Sequence, residues 1–137
     1  LSGYQFATCC YCLLNVKTRQ LTFARAGHPY PILLRKGEPP MQLQARGSLL
    51  GIFESAEFLQ ETVQLQAGDR LLLYSDGAEL LVGRLHDKAG FQFTEEMLAL
   101  KDRPITEIVD RLTELARTRD IDPTEVDDLT LVGLEIH

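Results

Sequence analysis

The sequence lacks nearly everything that would take a protein into a membrane or onto a nucleic acid. Its apolar runs are too short to cross a bilayer, and no basic, apolar leader ending in small residues opens the chain. Neither insertion nor export is signalled, so a cytoplasmic setting is expected. Basic residues are the scarcer charge: 14 Lys and Arg against 20 Asp and Glu leave a formal charge of −6. A general nucleic-acid binder needs clustered cations to neutralise phosphates, so that class is disfavoured. Metal cations or a cationic partner surface suit the balance better. Cysteine is limited to Cys9, Cys10 and Cys12, all within CCYC. An odd number of thiols along one extended segment makes no disulfide framework, and a zinc site would need a second ligand pair. Structural thiols in a buried strand are expected instead. Internal repeats and low-complexity segments are absent.

What is present is an ordinary globular mix, 45% hydrophobic and 25% charged over 137 residues, enough for one domain with a real core. Residues 4–16, YQFATCCYCLLNV, are apolar on both alternating faces, as in a central strand covered on two sides. The polar turn NVKTRQ and the strand QLTFARA, with Leu21 and Phe23 on one face, complete an antiparallel hairpin. A Gly-His-Pro turn and the strand PILLR follow, then a break at EPP, a short strand in MQLQA and a bend in RGSLLGIF. FLQETVQL, the turn AGD and RLLLYS read as a second hairpin. AELLVGRL begins like a short helix, but Gly83 and HDKAG point to a loop. Thr94 is placed to cap TEEMLALK, whose first turn carries Glu95 and Glu96. PITEIVDRLTELARTR is the clearest helix, with Pro104 at its first turn, an apolar stripe from Ile105 to Ala116 and a Glu107–Arg111 pair. IDPTEV is a loop and DDLTLVGLEI a final strand. Strands come first, helices late and a strand last, which predicts an α+β layered fold with antiparallel sheets.

Ser75, Asp76 and Gly77 end a strand that reads as deeply buried, and Asp127 and Asp128 begin the last one. If those strands are antiparallel neighbours, both carboxylate groups face one rim. Like charges held close raise one another's pKa unless a cation neutralises them, and oxygen-only ligands favour Mg²⁺ or Mn²⁺. Gly77 would give the backbone room near an ion. Each motif alone reads more readily as a turn beside a strand than as a ligand.

Five stretches, FATCCYCLLNV, QLTFARAGHPYPILLRKG, GSLLGIF, LQAGDRLLLYSDGAELL and VDDLTLVGLEI, together resemble the SpoIIE/RsbU branch of the metal-dependent PPM (PP2C-like) serine/threonine phosphatases. The resemblance covers nearly all of residues 1–137. It implies a sandwich of two antiparallel sheets flanked by helices, with a binuclear Mg²⁺/Mn²⁺ centre at one end. Asp76 matches a metal-binding aspartate, with Gly77 beside it. Asp127 matches the metal aspartate of the last motif, and Ser75 and Asp128 match supporting positions. His28 matches a recurrent histidine, read here as a turn-shaping hydrogen-bonder, while His86 and His137 are read as incidental.

The family's first metal aspartate and the two long helices after it have no counterpart, so the chain resembles the C-terminal part of the catalytic domain. SDGAELL also departs from the commoner Asp-Gly-(Val)-Thr-Glu. Water activated between cations would attack the phosphoryl group with no covalent enzyme intermediate, which leaves the cysteines as spectators. The expected activity is hydrolysis of phosphoserine or phosphothreonine on a bacterial regulatory protein such as a STAS-type anti-anti-sigma factor, in stress-response or sporulation signal transduction. An upstream sensor or receiver domain is implied, and pairing of two copies is open. This piece alone is expected to bind metal weakly and hydrolyse little. A catalytically degenerate domain that only binds a regulatory protein is the second reading. A small zinc- or thiol-based enzyme using CCYC and His28 is a third.

Overall fold

The computed structural model describes residues 8–44, 60–86, 88–118 and 129–137. Strands β1 (Cys9–Asn15) and β2 (Gln20–Ala26) form the expected hairpin, from Asn15 opposite Gln20 to Cys9 opposite Ala26. Its turn is fixed locally. The Asn15 side-chain oxygen accepts from the backbone N–H of Lys17 (3.0 Å) and Thr18 (3.2 Å), an interaction short polar side chains make readily in turns. After β3 (Ile32–Leu34) and β4 (Met41–Gln42), β5 (Glu61–Gln64) pairs with β2, while β6 (Arg70–Tyr74) pairs with β3. The expected hairpin between these last two strands is therefore not formed. The AGD turn instead carries the chain from one sheet to the other.

The sheets are ordered β1-β2-β5 and β4-β3-β6-β9, the latter closed by β9 (Leu131–Glu135). All of their strand pairs are antiparallel. Leu21 and Phe23 meet Leu33, Leu71, Leu43, Leu65 and Ile136 between the sheets. On the opposite face of the second sheet, Ile32, Leu34, Leu72 and Tyr74 pack against helices. The central strands thus bury both faces, which is why ILL and LLLY read as nearly continuous apolar runs. At roughly 1.5–3 kcal/mol per fully buried aliphatic side chain, this alternation fixes the register.

β1 corrects an expectation. Among the described residues it is an edge strand of its sheet, and its outward side chains Tyr11 and Leu13 are exposed. Cys9 is exposed as well, and Cys10 and Cys12 are only partly covered, so the three thiols are not core residues.

The helical layer consists of α1 (Glu79–Val82), α2 (Glu95–Leu100) and α3 (Ile105–Thr118). Ile105, Ile108 and Leu112 bury one face of α3 at helical spacing. The Thr94 hydroxyl caps α2 as expected, accepting from Met97 N–H at 3.1 Å. The expected Glu107–Arg111 pairing is replaced by Arg103–Glu107 at 3.9 Å and Arg111–Glu114 at 3.1 Å. Where a loop was expected, β7 (Gly83–His86) and β8 (Gly90–Phe93) form a hairpin. Phe91 and Phe93 share one face of it and meet edge to face, centroids 5.1 Å apart. Among the described residues no helix is long and apolar enough to cross a membrane. The bend expected in GSLLGIF lies outside the described residues.

Candidate active site

The strand that delivers Asp76 is held at both ends. Arg70 and Tyr74 are its limits, and both are buried. β9 runs antiparallel beside it, with Tyr74 opposite Leu131. Just past that pair, Ser75 N–H donates to the Thr130 carbonyl at 3.0 Å, and the Ser75 hydroxyl oxygen accepts from Thr130 N–H at 2.9 Å. This two-bond clasp ties the exit of β6 to the approach of β9. The adjacency expected of the two strands is real, and the Ser75 side chain takes part in holding it.

Asp76 then opens a 3-10 turn, Asp76–Ala78, whose Ala78 N–H returns to Ser75 O at 2.9 Å and whose Ala78 side chain is fully buried. The turn is anchored beneath, and the Asp76 side chain stands in solvent. Gly77 lies inside the same turn. Asp127 and Asp128 lie outside the described residues; in the sequence Asp127 comes three positions before Thr130.

A cleft of about 470 Å³ opens at this rim, lined among others by Asp76, Glu79, Tyr74, Arg25, His28 and Tyr30. Of these, Glu79, Tyr74, Arg25 and Tyr30 were not anticipated. Glu79 follows Asp76 by one helical turn, a spacing that brings side chains onto one face. The Glu in SDGAELL was its sequence signal. Burial, and then the charge of Asp76, pushes the Glu79 carboxyl above the usual carboxylate range. Burial, and then the charges of Glu79 and Asp76, raises the Tyr74 hydroxyl. Arg25 reaches the cleft from β2, and nothing in its own neighbourhood of the sequence signals this.

The donor chemistry suits a hard divalent cation. Asp76 and Glu79 present carboxylate oxygens to one cleft, the charge of Asp76 bears on Glu79, and among the described residues no basic side chain pairs with Asp76. Among the described residues no three His, Cys, Asp or Glu side chains converge as a metal site. That tells against a zinc centre from CCYC and His28 as well. Cys10 and Cys12 are free thiols two positions apart on β1, and the neighbouring Cys12 thiol, ahead of burial, holds the Cys10 thiol above its usual range. His28 behaves as expected of a turn residue. Its carbonyl accepts from Arg25 Nη1 at 2.8 Å, and its ring Nδ1 lies 3.5 Å from the Thr8 hydroxyl.

Comparison with known proteins gives this geometry a context. The family described as Stage II sporulation protein E (SpoIIE) matches residues 1–137. The chain belongs to the SpoIIE family. The phosphoserine phosphatase RsbU of Bacillus subtilis (strain 168) is 36% identical over 73 residues, which are 53% of this chain and 22% of RsbU. The solved phosphatase domain of the cell fate determinant SpoIIE from Bacillus subtilis is 25% identical with a TM-score of 0.67, covering 95% of this chain and 58% of that one. The catalytic domain of the serine/threonine protein phosphatase PstP, solved in complex with two manganese ions, shares the fold at 21% identity and a TM-score of 0.55, over 93% of this chain and 57% of that one. The fold of this SpoIIE-family chain is thus that of PP2C-like phosphatase domains. The chain spans about a fifth of the curated relatives' length and just over half of the solved SpoIIE domain.

Proposed function

We propose that the chain is the C-terminal part of the catalytic domain of a metal-dependent phosphoserine/phosphothreonine protein phosphatase. The observation that carries this is the β6–β9 register with its Ser75–Thr130 clasp. It supports a site in which Asp76, at one strand's exit, meets Asp127, from the other strand's approach. In this reading Asp76 and Asp127 would hold Mg²⁺ or Mn²⁺, Gly77 would leave the backbone room beside it, Ser75 and Asp128 would support them, and Glu79 would add a further carboxylate on the cleft. Manganese in PstP, and magnesium in complex with the related fold of RsbX, favour those ions.

Divalent cations, when bound, supply a water of lowered pKa and offset charge on the phosphoryl oxygens. The protein's part is placement: the clasp and the buried Ala78 fix the Asp76 backbone, so its carboxylate needs little reorganisation on binding. The substrate fitting this family is a phosphorylated regulatory protein of the STAS type, with an upstream sensor or receiver domain controlling the enzyme.

The test is p-nitrophenyl phosphate turnover with Mn²⁺, for this chain and for the full-length protein. Low turnover in the chain and robust turnover in the longer protein, abolished by Asp76→Ala, is expected. Robust turnover that survives Asp76→Ala overturns the assignment.

A second reading, a degenerate domain that binds a regulatory protein without catalysis, is favoured by the lack of a converging ligand trio among the described residues. Pull-down with phosphorylated and unphosphorylated STAS protein separates the two. An enzyme releases the dephosphorylated form, whereas a binding module retains one form unchanged.

A further inference from the structure

We propose that Arg25 is the residue of this cleft that receives the phosphoryl oxygens of a phosphomonoester, a role that rests on the phosphatase reading. Its guanidinium lies over the Tyr30 ring, 3.9 Å from the centroid. Nη1 donates to the His28 carbonyl at 2.8 Å and Nη2 to the Tyr30 hydroxyl at 3.0 Å. Nε is buried and, among the described residues, has no partner. A guanidinium carries five N–H donors and cannot lose its charge. After these two bonds, each terminal nitrogen still has one N–H to offer.

Other arginines of the chain have found carboxylates: Arg35 with Asp69, Arg103 with Glu107, Arg111 with Glu114. Among the described residues Arg25 has none. It is a partly buried, permanently charged fork, clamped by a ring and a carbonyl, and it lines the same cleft as Asp76. Such a group lacks an anion. The clamp has already taken up the rotamer entropy that an arginine usually loses on binding, and a phosphoryl group matches its fork geometry. Arg25 and a cation held at Asp76 would then act on the same dianion, since both residues line one cleft.

Steady-state kinetics of the full-length protein on p-nitrophenyl phosphate with Mn²⁺ test this. Arg25→Gln should raise KM about tenfold or more, as loss of a charge-assisted bond does, and weaken competitive inhibition by inorganic phosphate by the same factor. Arg25→Lys, which keeps the charge but loses the fork, should fall between Arg25→Gln and the wild type. It also decides the matter if Arg25→Gln fails to fold, as thermal melting would show. KM and phosphate inhibition unchanged in a folded variant overturn the proposal. So does a KM that rises for a phosphopeptide but not for p-nitrophenyl phosphate, because Arg25 would then read residues flanking the phosphate.

A second arm does not depend on turnover. In the metal-free protein, ³¹P line broadening of inorganic phosphate should saturate, persist in Asp76→Asn and disappear in Arg25→Gln. Broadening equal in all three overturns the proposal. Absence of turnover together with Arg25-dependent broadening would defeat the phosphatase reading alone.

Discussion

Replacing Asp69 by Asn tests how the turn before β6 is secured. The Asp69 side chain is 3% exposed and accepts three hydrogen bonds, from Arg35 Nε (3.0 Å), Arg35 Nη2 (2.8 Å) and Gln66 N–H (2.8 Å). Burial alone would raise its carboxyl, but the Arg35 guanidinium and the Gln66 N–H outweigh burial and hold it below the usual range. Removing one partner of a buried ion pair costs about 3–5 kcal/mol. Arg35 is 23% exposed and can turn back into water, so the lower end, about 3 kcal/mol, applies. For a domain of this size that lowers Tm by roughly 10 °C.

The pH dependence has a definite sign. A carboxyl depressed in the folded state contributes stability that is complete above its unfolded pKa, about 3.9, and is lost as pH falls through the folded value. Urea unfolding followed by circular dichroism should therefore show the full gap between wild type and Asp69→Asn at pH 7. The gap should narrow steadily below about pH 4. A gap under about 1 kcal/mol at pH 7, the range of an exposed pair, refutes the reasoning, as does a gap that acid leaves unchanged.

Gly133→Ala places a methyl group 2.5 Å from Ile105 Cγ1 and 2.9 Å from Val109 Cγ2. Overpacking between β9 and α3 should cost about 1–3 kcal/mol in the same urea assay. Thr94→Ala removes the α2 cap and the hydroxyl's 2.9 Å bond to Leu81 O, for a loss of about 1–2 kcal/mol of stability by thermal melting. Arg70→Ala leaves the Lys101, Arg103 and Leu34 carbonyls without their buried donor and opens a cavity. A loss of about 3 kcal/mol or more is expected. Mn²⁺ at a hundred times its Kd should stabilise the full-length protein by about 2.7 kcal/mol, and Asp76→Asn should erase most of that gain in differential scanning calorimetry.

Much of this was legible because local and tertiary demands agree. The α3 stripe, the Thr94 cap and the β1–β2 turn are set within a few residues of chain, and the structure repeats them. The failures begin where sequence proximity does not say which sheet a strand joins. Val63 and Leu71 flank a tight turn, yet Val63 lies opposite Leu21 and Leu71 opposite Leu33. Nor does periodicity say what covers a face, and Tyr11 and Leu13 look as apolar as core residues. In the β7–β8 hairpin the alternation of Phe91 and Phe93 was a strand signal outweighed by the Gly and polar residues around it. At the site, Asp76 was readable as the carboxylate ending a buried strand. Arg25 was not, because β2 brings it to the cleft through tertiary packing alone.

The arrangement at the rim separates what folds the protein from what the site would do. Tyr74 and Ala78, buried on either side of Asp76, and the Ser75–Thr130 clasp belong to the core, so altering them moves the strand. The Asp76 carboxylate projects from that frame into solvent and, among the described residues, forms no ion pair, so the fold gains little from keeping it charged. It instead raises the cost of ionising Glu79 beside it. A neutral residue at position 76 should therefore leave the apo fold as stable as before, or slightly more so. A carboxylate whose removal relieves the free protein is one the fold itself does not need, and the Mn²⁺ calorimetry with Asp76→Asn separates a cation in the cleft from a cationic partner surface.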